Sequence, residues 1–87
     1  MPYITVSTVR GILDIGQKQA LLERITDLMV EIEGQGNPEF RKVVWVKIDE
    51  QDPSHWSLGG MTASSEQIAQ MYGTIGADGR RVARVKA

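Results

Sequence analysis

Apolar and polar residues alternate from Pro2 to Thr8, with Tyr3, Thr5 and Ser7 falling on one side and Ile4, Val6 and Thr8 on the other. β-branched residues dominate this stretch, and a period of two in such residues predicts a strand. Val9-Arg10-Gly11-Ile12-Leu13 reads as the loop after it. The period then changes. Ala20, Leu21, Leu22, Ile25, Leu28, Met29 and Ile32 recur at steps of three and four, while Lys18, Glu23, Arg24, Asp27 and Glu31 fall largely elsewhere. That is the apolar stripe of an amphipathic helix. Asp14 and Gln17 have the spacing of a capping box at its start, and Gly34, four residues ahead of Pro38, stands as its C-cap.

Val43-Val44-Trp45-Val46-Lys47-Ile48 is the second strand, with Val44, Val46 and Ile48 on one face and Val43, Trp45 and Lys47 on the other. Asp49 to Ser54 reads as a polar turn, and His55-Trp56-Ser57-Leu58-Gly59-Gly60 as a loop. Strand, helix and strand in this order form a βαβ unit, whose strands run parallel. Beyond it the pattern weakens. Ser64 and Gln67 repeat the capping-box spacing ahead of a short helix through Ile68, Met71 and Tyr72. Gly73, Gly76 and Gly79 interrupt the chain after this helix, and Val82 and Val85 are candidates for a small terminal strand. The fold class is therefore α+β, with residues 1–60 as the β-α-β core and 61–87 as a C-terminal extension of the same domain, a short helix plus a basic tail.

A chain of 87 residues with no cysteine has a marginal core and no disulfide to staple it. Two strands alone are marginal in water, so the parallel strands are expected to be completed into a larger sheet by oligomerisation, at least as a dimer. No apolar run approaches the length of a membrane span, and the N-terminus has no basic-then-apolar leader. The expected address is cytoplasmic, with no membrane partner. Charge is unevenly spread: residues 1–77 hold 6 basic and 10 acidic side chains, whereas residues 78–87 hold four basic ones against Asp78. Arg80, Arg81, Arg84 and Lys86 read as a solvated or subunit-docking tail, and no nucleic-acid partner is expected of a mildly acidic domain. The lone His55 offers neither a metal cluster nor a Ser-His-Asp set, and Gly59-Gly60 lacks the longer glycine pattern of a phosphate loop.

Candidate chemistry lies at the start of the chain. Pro2 comes directly after Met1, and a small second residue favours removal of the initiator. The product is a rigid secondary amine, whereas proline elsewhere is an amide without proton chemistry. An α-amino group titrates at about 7.7–8.0, and apolar or cationic surroundings lower it toward the working pH.

Met1-Pro2 opening a strand, a helix bearing Gln17-Lys18, a valine-rich strand ending Ile48-Asp49-Glu50, and Trp56-Ser57-Leu58-Gly59-Gly60 together resemble the tautomerase superfamily, in its short 4-oxalocrotonate tautomerase-like branch. The resemblance covers about residues 2–60. It implies a β-α-β protomer assembled as a dimer or a trimer of dimers, with the N-terminal proline of one subunit meeting side chains of its neighbours. It implies an isomerase that interconverts enol and keto forms of a 2-oxo acid, with Pro2 as general base and without metal or organic cofactor. Arg10 falls in the loop where the family places one arginine, slightly early. The slot of the family's second arginine falls on Trp45, a departure, with Lys47 on the same face as its substitute and Trp56 at the aromatic wall. Lysine is a point charge without arginine's bidentate grip, so the expected substrate is a mono-acid with an apolar or aromatic tail rather than a dicarboxylate.

Each residue also has a plainer reading. Pro2 is tolerated at the head of an edge strand. Arg10 is a surface loop arginine, Lys47 a solvated strand residue, and Trp45 packs on a sheet face. Trp56 anchors a core or an interface, and Tyr3 either packs or lends its hydroxyl near Pro2. Two other functions stand beside the tautomerase: a hydratase or dehalogenase in which Pro2 stays protonated and acts as general acid, and a catalytically silent oligomerising module.

Overall fold

The computed structural model of the chain describes residues 1–82. Strand β1, Tyr3–Val9, pairs in parallel with β2, Trp45–Gln51, in the register Tyr3↔Trp45 through Val9↔Gln51. Between them runs helix α1, Ile15–Ile32. Both capping-box bonds that the sequence predicts are present: the Gln17 backbone N–H donates to Asp14 Oδ1 at 2.8 Å, and the Asp14 N–H donates to Gln17 Oε1 at 3.0 Å. The helix ends on Glu33 rather than Gly34, and the chain reverses through Gln35 and Gly36, both at positive φ. Gly34 has a different task. A Cβ there would lie 2.7 Å from the Phe40 side chain and from the Val30 carbonyl, so its bare α-carbon lets Phe40 seat against the helix end.

The second strand begins two residues later than its valines suggest and runs three residues further. Pro38–Val43 forms a 3-10 helix opened by Asn37, whose side chain accepts from the Glu39 N–H at 3.0 Å. Asp49, Glu50 and Gln51, polar enough to read as a turn, continue the strand because β1 runs alongside as far as Val9. The turn starts at Asp52, which caps a one-turn helix, Pro53–His55.

The two faces of the sheet differ. Even-numbered positions are half-buried, odd ones mostly exposed. Lys18 of α1 reaches Glu50 of β2 at 2.5 Å, so the even face is the one under the helix and the odd face is open. Among the described residues Ile68 and Pro53 are the buried apolar side chains, while Tyr3 is 61% and Trp45 56% exposed. The radius of gyration is 16.0 Å, against about 12 Å for a compact chain of this length. A protomer this flat has little core of its own.

Helix α2, Ser65–Tyr72, carries its predicted Ser64–Gln67 capping box and stops at Gly73, which has φ 90°. Val82 lies in no strand. Instead Ile75 and Arg81 form an isolated antiparallel bridge, and Val85, Arg84 and Lys86 lie outside the described residues. Among the described residues, no helix is long and apolar enough to cross a membrane.

Candidate active site

The predicted site residues separate into two groups at opposite ends of the sheet. At its head, the Pro2 carbonyl accepts the Trp45 N–H at 3.0 Å, which ties Pro2 into the ladder. Tyr3 and Trp45 are register partners on the open face, and Lys47 stands diagonally beside them. The Lys47 Nζ lies 5.7 Å from the centroid of the Tyr3 ring. The Tyr3 hydroxyl, and to a smaller degree Asp49, hold the Lys47 ammonium above its ordinary value. Lys47 is therefore a fixed cation at neutral pH, two positions along the open face from Trp45. Met1 is 81% exposed, so the fold does not shield its bond to Pro2.

Arg10 is elsewhere. It comes just after the last residue of β1, and its N–H donates to the Gln51 carbonyl at 2.7 Å. Eight strand residues at about 3.3 Å each place Arg10 roughly 26 Å from Pro2. The two residues cannot meet within one protomer. Arg10 instead borders a cavity of about 470 Å3 at the carboxyl ends of both strands, within the size range of small-molecule pockets. Its polar wall also holds Lys18, Glu50 and Asp52. Lys18 is paired with Glu50, whereas Arg10 has no ion pair among the described residues. Hydrogen bonds from the Ser54 backbone and hydroxyl hold the Asp52 carboxyl low, and the charges of His55 and Arg10 add to this. Asp52 is an anion at neutral pH.

Trp56 stands just past this end of the sheet, its N–H donating to the Pro53 carbonyl at 3.1 Å. Its ring is not part of the cavity wall. The indole N–H is buried and without a hydrogen-bond partner, a state that costs about 1–3 kcal/mol. His55, as read from the sequence, is exposed, with Nδ1 3.1 Å from Gln51 Oε1.

Sequence reasoning missed Glu50, Asp52 and Arg81. The first two were legible in one respect: ligand sites in parallel sheets gather at the carboxyl ends of strands, and both residues stand there. Arg81 is no solvated tail residue. Its guanidinium donates to the carbonyls of Ile12 and Tyr72 and to Gln17 Oε1 at 2.6 Å, and its Nε lies 3.8 Å from Asp14 Oδ2.

The fold agrees with the chain's likeness to known proteins. A family model described as tautomerase enzyme matches residues 2–64, and the chain belongs to the tautomerase family. Among solved structures it is similar to the crystal structure of DmpI from Helicobacter pylori, with 33% identity, a TM-score of 0.56, and coverage of 70% of this chain and 88% of that one. The likeness agrees with the 4-oxalocrotonate tautomerase-like pattern and with the β-α-β fold. No match was found among the curated proteins.

Proposed function

We propose that this chain is a cofactor-independent tautomerase that interconverts enol and keto forms of a 2-oxo acid, with Pro2 as general base once Met1 is removed. The observation that carries this reading is the setting of Pro2: heading a strand in a tautomerase-family chain, tied to Trp45 by its carbonyl and followed by Tyr3, over whose ring the cation Lys47 stands. The amine takes the proton from the enol hydroxyl as the C–O double bond forms, and returns a proton to the carbon at the far end of the enol. Negative charge builds on the oxygen during the first transfer, and a nearby ammonium such as Lys47 stabilises it. A cation beside Pro2 also favours the neutral amine, the form a base needs.

The substrate carboxylate needs a second cation. The roughly 26 Å of strand between Pro2 and Arg10 means that Arg10 serves Pro2 only from another copy of the chain. Self-association, as a dimer or a trimer of dimers, is therefore part of the proposed function. The exposed Tyr3 and Trp45 favour it, as does the scarcity of buried apolar side chains in the protomer.

The experiment that tests this reading has two stages. The intact mass of the protein from its own host should lack the initiator methionine. NMR titration of the terminal amine should then place its pKa near neutrality, alongside ketonisation of enol acids such as phenylenolpyruvate. A retained Met1 removes the base and leaves an oligomerising module. A terminal amine that titrates well above neutrality would instead make Pro2 an acid, with hydration or dehalogenation of an unsaturated acid as its chemistry.

A further inference from the structure

The family match ends at residue 64, yet the cavity beside Arg10 does not end there. Ile68, Ala69, Gly73, Thr74 and Ile75 form its far wall. Helix α2 sits directly on the turn after Arg10: a Cβ on Gly11, where φ is 101°, would lie 3.2 Å from Ile68 Cγ2. Ile68 is only 7% exposed, so this contact is fixed rather than grazing. The segment after α2 is also fastened. The Ile15 N–H donates to the Gly79 carbonyl at 2.7 Å, and the Val82 N–H to the Thr74 carbonyl at 2.6 Å. Arg81 closes the arrangement by joining the carbonyl of Tyr72 at the end of α2 to Ile12, Asp14 and Gln17 of the core.

We propose that residues 65–75 are a substrate-selecting wall laid over Arg10, which limits the site to monocarboxylates bearing one compact apolar substituent, and that Arg81 is the positioning residue that holds this wall in place. The ligand class is set by the lining. Arg10 is the cation left without an ion pair among the described residues of the cavity, and it is placed to take one carboxylate. Lys18 is already neutralised by Glu50 at 2.5 Å. A second carboxylate would meet Asp52, which no salt bridge among the described residues neutralises, and like charges set side by side are strongly disfavoured. Beside Ser65 and Thr74, the uncharged wall carries Leu13, Pro53, Ile68, Ala69 and Ile75, a surface for a hydrocarbon substituent. Gly73 is buried, and a Cβ there would lie 2.9 Å from the Val82 carbonyl. The wall is thus packed from behind and cannot simply retreat to admit a larger group.

This inference rests on the proposed function for the substrate's being an enol or 2-oxo acid, but not for the cavity's preference among acids. Its test therefore has two readouts. The first is ketonisation kinetics on the enols of pyruvate, of a branched-chain 2-oxo acid, of phenylpyruvate and of a 2-oxo dicarboxylate. The second is calorimetric binding of the unreactive acids 3-phenylpropanoate and glutarate. The native protein is expected to favour the mono-acids over the dicarboxylates by about tenfold or more in both. Ala69→Phe, which puts a ring into the cavity, should lower kcat/KM for the phenyl substrate by about tenfold while changing the pyruvate enol about twofold or less.

Arg81→Ala should raise KM for the apolar-tailed acids with little change in kcat, and Arg81→Lys should recover only part of the loss, since a point charge cannot bridge all four partners. Arg81→Ala also releases a helix, so Ala69→Phe, which leaves every fastening in place, carries the decision if Arg81→Ala fails to fold. Equal losses on all acids in Ala69→Phe, or native binding of glutarate as tight as 3-phenylpropanoate, would overturn the proposal. If no enol turns over but 3-phenylpropanoate binds selectively and Ala69→Phe abolishes that binding, the wall stands and the tautomerase reading falls.

Discussion

At the head of the strands, Tyr3, Trp45 and Lys47 occupy an open sheet face beside a half-buried Pro2, with both aromatic residues more than half exposed. At the other end, Arg10, Lys18, Glu50 and Asp52 are gathered into a cavity roofed by α2 and fastened by Arg81. One end is a bare sheet face and the other a half-open cleft. In the proposed function the work is divided between them: the open end carries the base and a fixed ammonium, the cleft end the carboxylate anchor and the selecting surface. A general base needs a water-poor setting to keep its pKa low, and the open face lacks one in the isolated protomer. Bringing the cleft end of one copy against the open end of another would supply both the missing wall and the missing cation.

The sharpest way to break this comparison is to remove the base. Pro2→Ala should lower kcat/KM by on the order of 10²–10⁴, the range for a positioned general base, with the sedimentation profile unchanged. Ketonisation at the native rate would remove Pro2 from the chemistry. Next in size is Arg10→Ala. Loss of a charged hydrogen bond costs about 1.5–3 kcal/mol, roughly 10- to 150-fold in kcat/KM. A subunit-mixing experiment sharpens it: combining inactive Pro2→Ala with Arg10→Ala should restore activity, because some sites then receive a native Pro2 from one copy and a native Arg10 from another. No recovery in a mixture proven to exchange subunits would mean that the two ends do not share a site.

The βαβ frame was legible because its signals are local. Asp14 with Gln17 and Ser64 with Gln67 announce both helix starts, and each box is present as read. Strand β2 was displaced because pairing overrides composition: Asp49-Glu50-Gln51 is polar yet extends β2 beside Thr8 and Val9. Pro2 and Lys47 could be named from the sequence, since a terminal proline and a strand's face depend on position alone. The cavity could not. Gly11 against Ile68, and Arg81 against Asp14 and Gln17, join residues more than fifty positions apart, and no periodicity encodes which loop a distant helix will cover.

The two ends also have separate structural supports, which mutations of moderate effect should tell apart. Gly34→Val would force a Cβ to within 2.7 Å of Phe40 and the Val30 carbonyl, shortly before the chain enters β2. It should cost about 1–3 kcal/mol, read by urea unfolding, and weaken the Pro2 end first. Asp14→Ala removes the N-cap of α1, for about 1 kcal/mol, and the Arg81 contact with it. Its effect should appear at the cleft end, as faster amide exchange over residues 65–75. Faster exchange at Tyr3 and Trp45 instead would place the fastening at the wrong end.

The smallest expected effect distinguishes the ends by pH. Asp52 at the cleft end has its folded pKa lowered by Ser54. Its contribution is present above the ordinary aspartate value, about 3.9, and is lost as pH falls through the lower folded value. Lys47 at the open end has its folded pKa raised by Tyr3. Its contribution is complete below the ordinary lysine value, about 10.4, and disappears as pH rises through the higher folded value. Lys47 is exposed and Asp52 only half-buried on the rim of an open cleft, so each slope is shallow. Thermal unfolding measured from acid to alkaline pH should therefore lose its acid limb in part with Asp52→Asn and its alkaline limb in part with Lys47→Met. If either substitution flattens the opposite limb, the charges do not belong to the ends at which the sheet places them.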